Sequence, residues 1–141
     1  MEGFTDTLED TGVTVSWHVA GKFDGGEEAY LGAQAKVDVI AALDDSSLTA
    51  AGEYWAEENG GVPLYGIGHS TQAAYYLDKG IVECLVMPDE FSVGYQSMSE
   101  IANSLEELFY KTQDRRISYT VLRRESLFSQ KGQEILFTMS Q

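Results

Sequence analysis

The sequence predicts an α/β fold: a doubly wound, mostly parallel sheet flanked by helices. Apolar runs of strand length recur along the chain, and stretches with apolar residues at helical spacing lie between them. Glycine, proline or short polar residues close most of these runs. At 141 residues the chain holds one domain and can bury a core without disulfide staples.

The strands come first. Val13 to Val19 is rich in β-branched residues and ends at Gly21. Val37 to Leu43 is a short apolar run ending on Asp44-Asp45, and Val62 to Ile67 ends on Gly68-His69. Ile81 to Met87 is closed by Pro88, which has no N–H to give a ladder. Ile117 to Leu122 alternates Ile117, Tyr119 and Val121 with Ser118 and Thr120, the pattern of a half-exposed edge strand.

The helices follow the same logic. Glu2 to Glu9 places Phe4 and Leu8 on one face, and Glu27 to Ala35 enters from the Gly25-Gly26 turn. Ser47 is read as the N-cap of a helix from Leu48 to Glu58, which stops at Asn59-Gly60-Gly61. Ser70 or Thr71 caps a helix through Leu77, with Gly80 as its C′ residue. The longest helix runs from about Ser92 to Tyr110. Its stripe of Met98, Ile101, Ala102, Leu105, Leu108 and Phe109 reads as core. Beyond Glu125 the patterning is weak, although Ile135, Leu136 and Phe137 have the character of a docking segment.

Charge narrows the function. Nine Lys and Arg against 23 Asp and Glu leave a formal charge of −14. A field this acidic repels phosphate backbones, which argues against nucleic acid or an anionic membrane as partner. All four arginines, Arg115, Arg116, Arg123 and Arg124, flank the last strand, where solvated charges blunt edge pairing. The lone Cys84 excludes an internal disulfide, and with only His18 and His69 beside it a zinc cluster is not expected. No apolar run reaches the length of a membrane span.

Few residues carry chemistry. Asp44-Asp45 follows a strand, and in open α/β sheets ligands sit outside the carboxyl ends of strands. Paired acids there can hold Mg²⁺ or accept hydrogen bonds from sugar hydroxyls; the blander reading, which the pattern favours, is that they start the next helix. Gly66-Ile67-Gly68-His69-Ser70 is not spaced as a phosphate loop, and its glycines read as a tight turn. His69 stands before a helix, where it either donates to a ligand or caps that helix. His18, beside Trp17 in the first strand, reads as a packed or surface histidine. No nucleophile elbow supports a Ser-His-acid triad, so no catalytic residue is assigned.

The stretch from Val62 to Leu105, "VPLYGIGHSTQAAYYLDKGIVECLVMPDEFSVGYQSMSEIANSL", resembles the closing segment of type I periplasmic sugar-binding proteins and of the effector domains of lac-repressor-type regulators. A "YGIG" strand, a helix ending "YLDKG", an I-x-x-x-V-x-P strand and "GYQS" opening a long helix match in order. "AALDDSSLTAAGEY", "EGFTDTLED" and the tail "RRISYTVLRRESLFSQKGQEILF" extend the likeness over essentially the whole chain, the tail being similar to transport members.

The resemblance implies one lobe of a flavodoxin-like clamshell that closes on a small sugar or polyol, without catalysis or cofactor, and delivers it to a membrane transporter. It implies an extracytoplasmic location, periplasmic or lipid-anchored. It places the ligand-binding positions at Asp44, Asp45, Gly68, His69 and Met87. The family's Asn-Asp turn falls on Asp44-Asp45, its third-strand Asp on Gly68 with His69 next, and its Gln on Met87, so the polar pattern of ordinary pentose or hexose sites is not reproduced. It also implies that residues 1–141 are a single domain, the C-terminal portion of a longer protein, with Met1 an added initiator.

Two other functions fit the same pattern. A regulator's effector domain would lie behind an N-terminal helix-turn-helix. A flavodoxin-like receiver would accept phosphate on Asp44, but residues 63 to 87 offer no lysine at a strand end. A lobe that lacks an inner strand has unpaired sheet edges, which predicts a homodimer or strand-exchanged assembly through the segment from Arg115 onward.

Overall fold

Three apolar runs, each followed by a helix, build the parallel part of a four-stranded sheet of order β1-β2-β3-β4. The computed structural model describes residues 2–16, 18–19, 31, 37–58, 61–107, 109–130 and 132–133. After α1 (Glu2–Leu8) come β1 (Ile40–Ala42), α2 (Asp45–Glu57), β2 (Leu64–Ile67), α3 (Thr71–Asp78) and β3 (Val82–Pro88). α4 (Glu90–Glu106), β4 (Tyr119–Leu122) and α5 (Arg124–Leu127) complete the order. β1, β2 and β3 are parallel, and β4 returns antiparallel to β3 with Leu85 opposite Leu122. The fold class is α/β, with a mostly parallel sheet as the sequence predicts. Among the described strands, order in space follows order in sequence.

The core lies between this sheet and the helices α2 and α3. Leu48, Ala51 and Trp55 of α2 and Ala73, Tyr76 and Leu77 of α3 pack with Leu64, Val82 and Leu85 of the sheet. Gly66 and Gly68 serve this packing rather than a turn. A Cβ on Gly66 would meet Leu48 at 2.6 Å, and one on Gly68 would meet Leu48 and Leu85 at 2.8 and 2.9 Å. The end of α3 holds to the atom as the sequence predicts. Gly80 has φ +73°, its N–H donates to Leu77, and the Ile81 N–H donates to Tyr76, a complete Schellman closure.

Four readings change. The Val13 to Val19 run joins no strand in its described part; Val13 is 53% exposed, so β-branching alone did not give it a ladder partner. The second helix begins at Asp45 with Asp44 as N-cap, not Ser47, because the Asp44 carboxylate reaches the Ser47 amide at 2.9 Å. The long helix begins at Glu90, capped by Asp89. Its apolar stripe is not core: α4 buries no residue, and Met98, Ile101 and Leu105 are 65%, 52% and 82% exposed.

The last strand also inverts its expected faces. Tyr119 and Val121 point outward while Leu122 is buried, so its alternation faces the core through Leu122. Tyr119 to Leu122 pair with β3, and Leu127 of α5 joins the core. The helix read over Glu27 to Ala35, apart from buried Leu31, and the docking segment at Ile135, Leu136 and Phe137 lie outside the described residues, as does Trp17.

Candidate functional site

Parallel strands place their carboxyl ends on one edge, and here each of β1, β2 and β3 runs directly into a helix N-terminus. The first four amides of a helix need outside acceptors, so this edge selects short oxygen-bearing side chains. Asp44 caps α2, accepting from the Ser47 amide at 2.9 Å and the Ser47 hydroxyl at 2.7 Å. Ser70 caps α3 by accepting from the Ala73 amide at 3.2 Å. Asp89 caps α4, accepting from the Ser92 amide at 3.0 Å and from the hydroxyls of Ser92 and Ser118.

Asp45 does something different. It stands in the first turn of α2, yet its carboxylate crosses to the β2–α3 turn and accepts from the amides of His69 at 2.8 Å and Ser70 at 3.0 Å. Burial would push this carboxyl up; the two amides, the Ser70 hydroxyl and the charge of His69 outweigh it and hold it below the ordinary aspartate value. Asp45 therefore fixes the position of His69 relative to α2. The His69 ring meets Glu90 of α4, Nδ1 to Oε1 at 3.3 Å, with both side chains exposed.

The strand ends thus bring together Asp44, Asp45, the backbone of Gly68 and His69. Gly68 is buried and donates its N–H to Val86 at 3.1 Å, which leaves no room for a side chain. Met87 is apart from this group: it is 8% exposed and belongs to the core cluster. Of the two roles read for His69, capping is taken by Ser70. Sequence reading missed Asp89 and Glu90. Their signal is an Asp-x-x-Ser spacing directly after Pro88, which marks a helix start as clearly as Asp44-x-x-Ser47 does.

Chemically, the edge is a set of acceptors. An ionised carboxylate has about four lone-pair positions, so Asp44, with two bonds inside the fold, retains capacity for two hydroxyl donors. His69 can donate or accept at its ring. The serine hydroxyls of this edge donate to the capping carboxylates, Ser47 to Asp44 and Ser92 and Ser118 to Asp89. Among the described residues no three His, Cys, Asp or Glu are grouped to hold a metal, and no helix is long and apolar enough to cross a membrane.

No protein-family model and no curated protein matches the chain. Solved structures do. A carbohydrate transporter solute-binding protein from Agrobacterium radiobacter, in complex with D-arabinose, aligns with TM-score 0.74 at 17% identity over 95% of this chain and 48% of its own. A galactofuranose-binding protein aligns with TM-score 0.74 at 11% identity over 99% of this chain and 49% of its own. A Mycobacterium smegmatis protein in complex with β-D-fucofuranose aligns with TM-score 0.66 at 14% identity, over 98% and 49%. The chain spans about half the length of these structures. The fold implied by the sequence resemblance, that of type I periplasmic sugar-binding proteins, is the fold found.

Proposed function

We propose that this chain is one lobe of a two-lobed, non-catalytic sugar-binding protein that serves a transport system. The observation that carries the reading is the strand-end cluster: Asp45 locks the His69 turn onto α2, and Asp44 beside it keeps unused acceptor positions. Neutral polyols are recognised by such fixed acceptors more than by net charge. The three structural neighbours named above, two of them in complex with a sugar and the third a sugar-binding protein by description, support the ligand class. In this reading Asp44, Asp45, Gly68 and His69 form one half of the site, while Met87 supports it from within the core. The protein works outside the cytoplasm and hands its ligand to membrane transporter subunits. Association with a second lobe or a second copy then uses the exposed stripe of α4.

The test is a titration of the chain with D-arabinose and with furanose sugars, followed by amide chemical shifts. Weak, millimolar-range shifts confined to residues 44–47 and 68–70 are expected, because half a cleft contributes half the contacts. Shifts elsewhere, or micromolar affinity of this chain alone for a monosaccharide, would contradict the half-site reading.

A further inference from the structure

The contact between His69 and Glu90 joins the β2–α3 turn to α4, a helix that buries no residue of its own. It has a chemical polarity. Nδ1 lies 3.3 Å from Oε1, and a carboxylate against Nδ1 favours a proton on that nitrogen. The ring is therefore the donor and Glu90 the acceptor. The two partners are held unequally. The His69 backbone is fixed by Asp45, which accepts from its amide at 2.8 Å. Among the described residues the Glu90 carboxylate has no other partner. Its neighbour Asp89 is spent on capping, accepting from Ser92 and Ser118. Glu90 is thus the acid at the start of α4 that capping leaves free.

Both side chains are exposed, so a change of rotamer opens the pair. Opened to roughly 5 Å, it admits one oxygen at hydrogen-bonding distance from both groups. That oxygen has to accept from the ring and donate to the carboxylate. A hydroxyl does both. An ionised carboxylate or phosphate accepts from the ring, but it meets Glu90 as a like charge with no proton to give. We infer that His69 and Glu90 together read a hydroxyl of the ligand, with Glu90 a specificity-determining residue that turns acidic sugars away. This inference rests on the sugar-binding reading. It adds a side chain from α4 to that site and a choice among sugars, neutral polyols over uronates. Water reaches both groups, so the preference is several-fold rather than the orders of magnitude of a buried pair. The chain's charge of −14 repels every anion, and the test has to separate that field from Glu90.

The experiment titrates the full chain with D-galactose and with D-galacturonate, which differ only at C6. It follows the amides of residues 68–70 and the resonances of the His69 ring. Galactose is expected to bind several-fold more tightly than galacturonate and to move the ring resonances. Glu90→Gln keeps an acceptor oxygen and removes the charge. It should weaken galactose by about twofold, because a charged acceptor bonds more strongly, and cut the galactose preference by about half or more. Glu106→Gln makes the same change of charge in the last turn of α4, at an exposed position, and should leave the preference as it is. Equal binding of the two sugars, ring resonances that galactose leaves in place, or an equal loss of preference in Glu106→Gln would overturn the inference. Galactose binding at 68–70 with a preference that Glu90→Gln leaves intact overturns the role of Glu90 alone. Absence of shifts with either sugar overturns the sugar-binding reading and this inference with it.

Discussion

α3 and α4 follow consecutive parallel strands and begin with equally good caps, yet they relate to the fold in opposite ways. α3 has eight residues and buries Ala73, Ala74, Tyr76 and Leu77; α4 has 17 and buries none. The apolar content of α4 is no lower: Phe91, Tyr95, Met98, Ile101 and Leu105 stand on it, all exposed. α4 is instead held by polar ties. Asp89 joins it to Ser118, and Glu100 accepts from Tyr110 at 2.8 Å and Arg115 at 3.0 Å. A contiguous exposed stripe of this kind is a surface addressed to something else. The comparison teaches that amphipathicity identifies a buried helix only when the partner is within the chain.

The sharpest break of this comparison is truncation of one leucine on each helix. Leu77→Ala removes a side chain with no exposure and should cost about 2–5 kcal/mol in urea denaturation. Leu105→Ala, at a position 82% exposed, should change stability by less than about 0.5 kcal/mol. A loss above about 1 kcal/mol at Leu105 would mean that α4 is buried in solution, by association or by closure. Glycines give the next contrast. Gly68→Ala forces a Cβ to within 3.0 Å of Leu48, Leu85 and Ala73 and should cost about 1–3 kcal/mol. Gly94→Ala on α4 meets nothing within 4 Å and should stabilise by about 0.5–1 kcal/mol, the ordinary helical preference.

The same contrast explains how much was legible in the sequence. The order of elements, the α3 closure at Gly80 and the mostly parallel sheet followed from local patterns whose partners lie nearby in the chain. Ser47 was misread as a cap because a hydroxyl and a carboxylate three residues apart give the same signal; the carboxylate of Asp44, accepting from both the Ser47 amide and hydroxyl, is the cap in the fold. The α4 stripe and the Val13 to Val19 run failed for one shared reason. Periodicity states which face wants burial, and β-branching states which backbone is preferred, but neither supplies the surface or strand to be met. That Asp44, Asp45 and His69 stand at strand ends was legible from their place after the apolar runs. The crossing of Asp45 to the His69 and Ser70 amides, 24 and 25 residues away in sequence, was not.

Acid should separate the two helices further. The carboxyls of Asp89 and Glu100 are held below their ordinary values, the first by the Ser92 hydroxyl and amide, the second by the Tyr110 hydroxyl and by Arg115. A depressed folded value means stability that is present above the unfolded pKa and lost as pH falls through the folded one. Above about pH 5 both ties are intact; below about pH 4 they weaken progressively, while the leucines of α3 do not titrate. Amide exchange, corrected for its intrinsic pH dependence, should therefore show α4 losing protection on acidification before α3 does. Simultaneous loss in both helices would show that the ties of α4 are not what holds it.

The smallest expected effect is at the contact between the two helices' ends, His69 and Glu90. The pair spans 3.3 Å, and its side chains are 51% and 61% exposed. Water competes for both groups, and two side chains must be ordered to bring them together, so such a pair contributes about 0–1 kcal/mol. A double-mutant cycle of His69→Ala and Glu90→Gln should give a coupling below about 0.5 kcal/mol, fading at about 1 M salt. The His69 backbone is not part of this measurement, because its amide is held by Asp45 whatever the ring does. That separation matters for the proposed sugar site: in that reading, a ring anchored through its backbone but loosely paired at its tip exchanges Glu90 for a ligand hydroxyl at little cost. A coupling above about 1 kcal/mol would instead make Glu90 a fixed strut, tying α4 to the packed half and closing the His69 ring to any ligand.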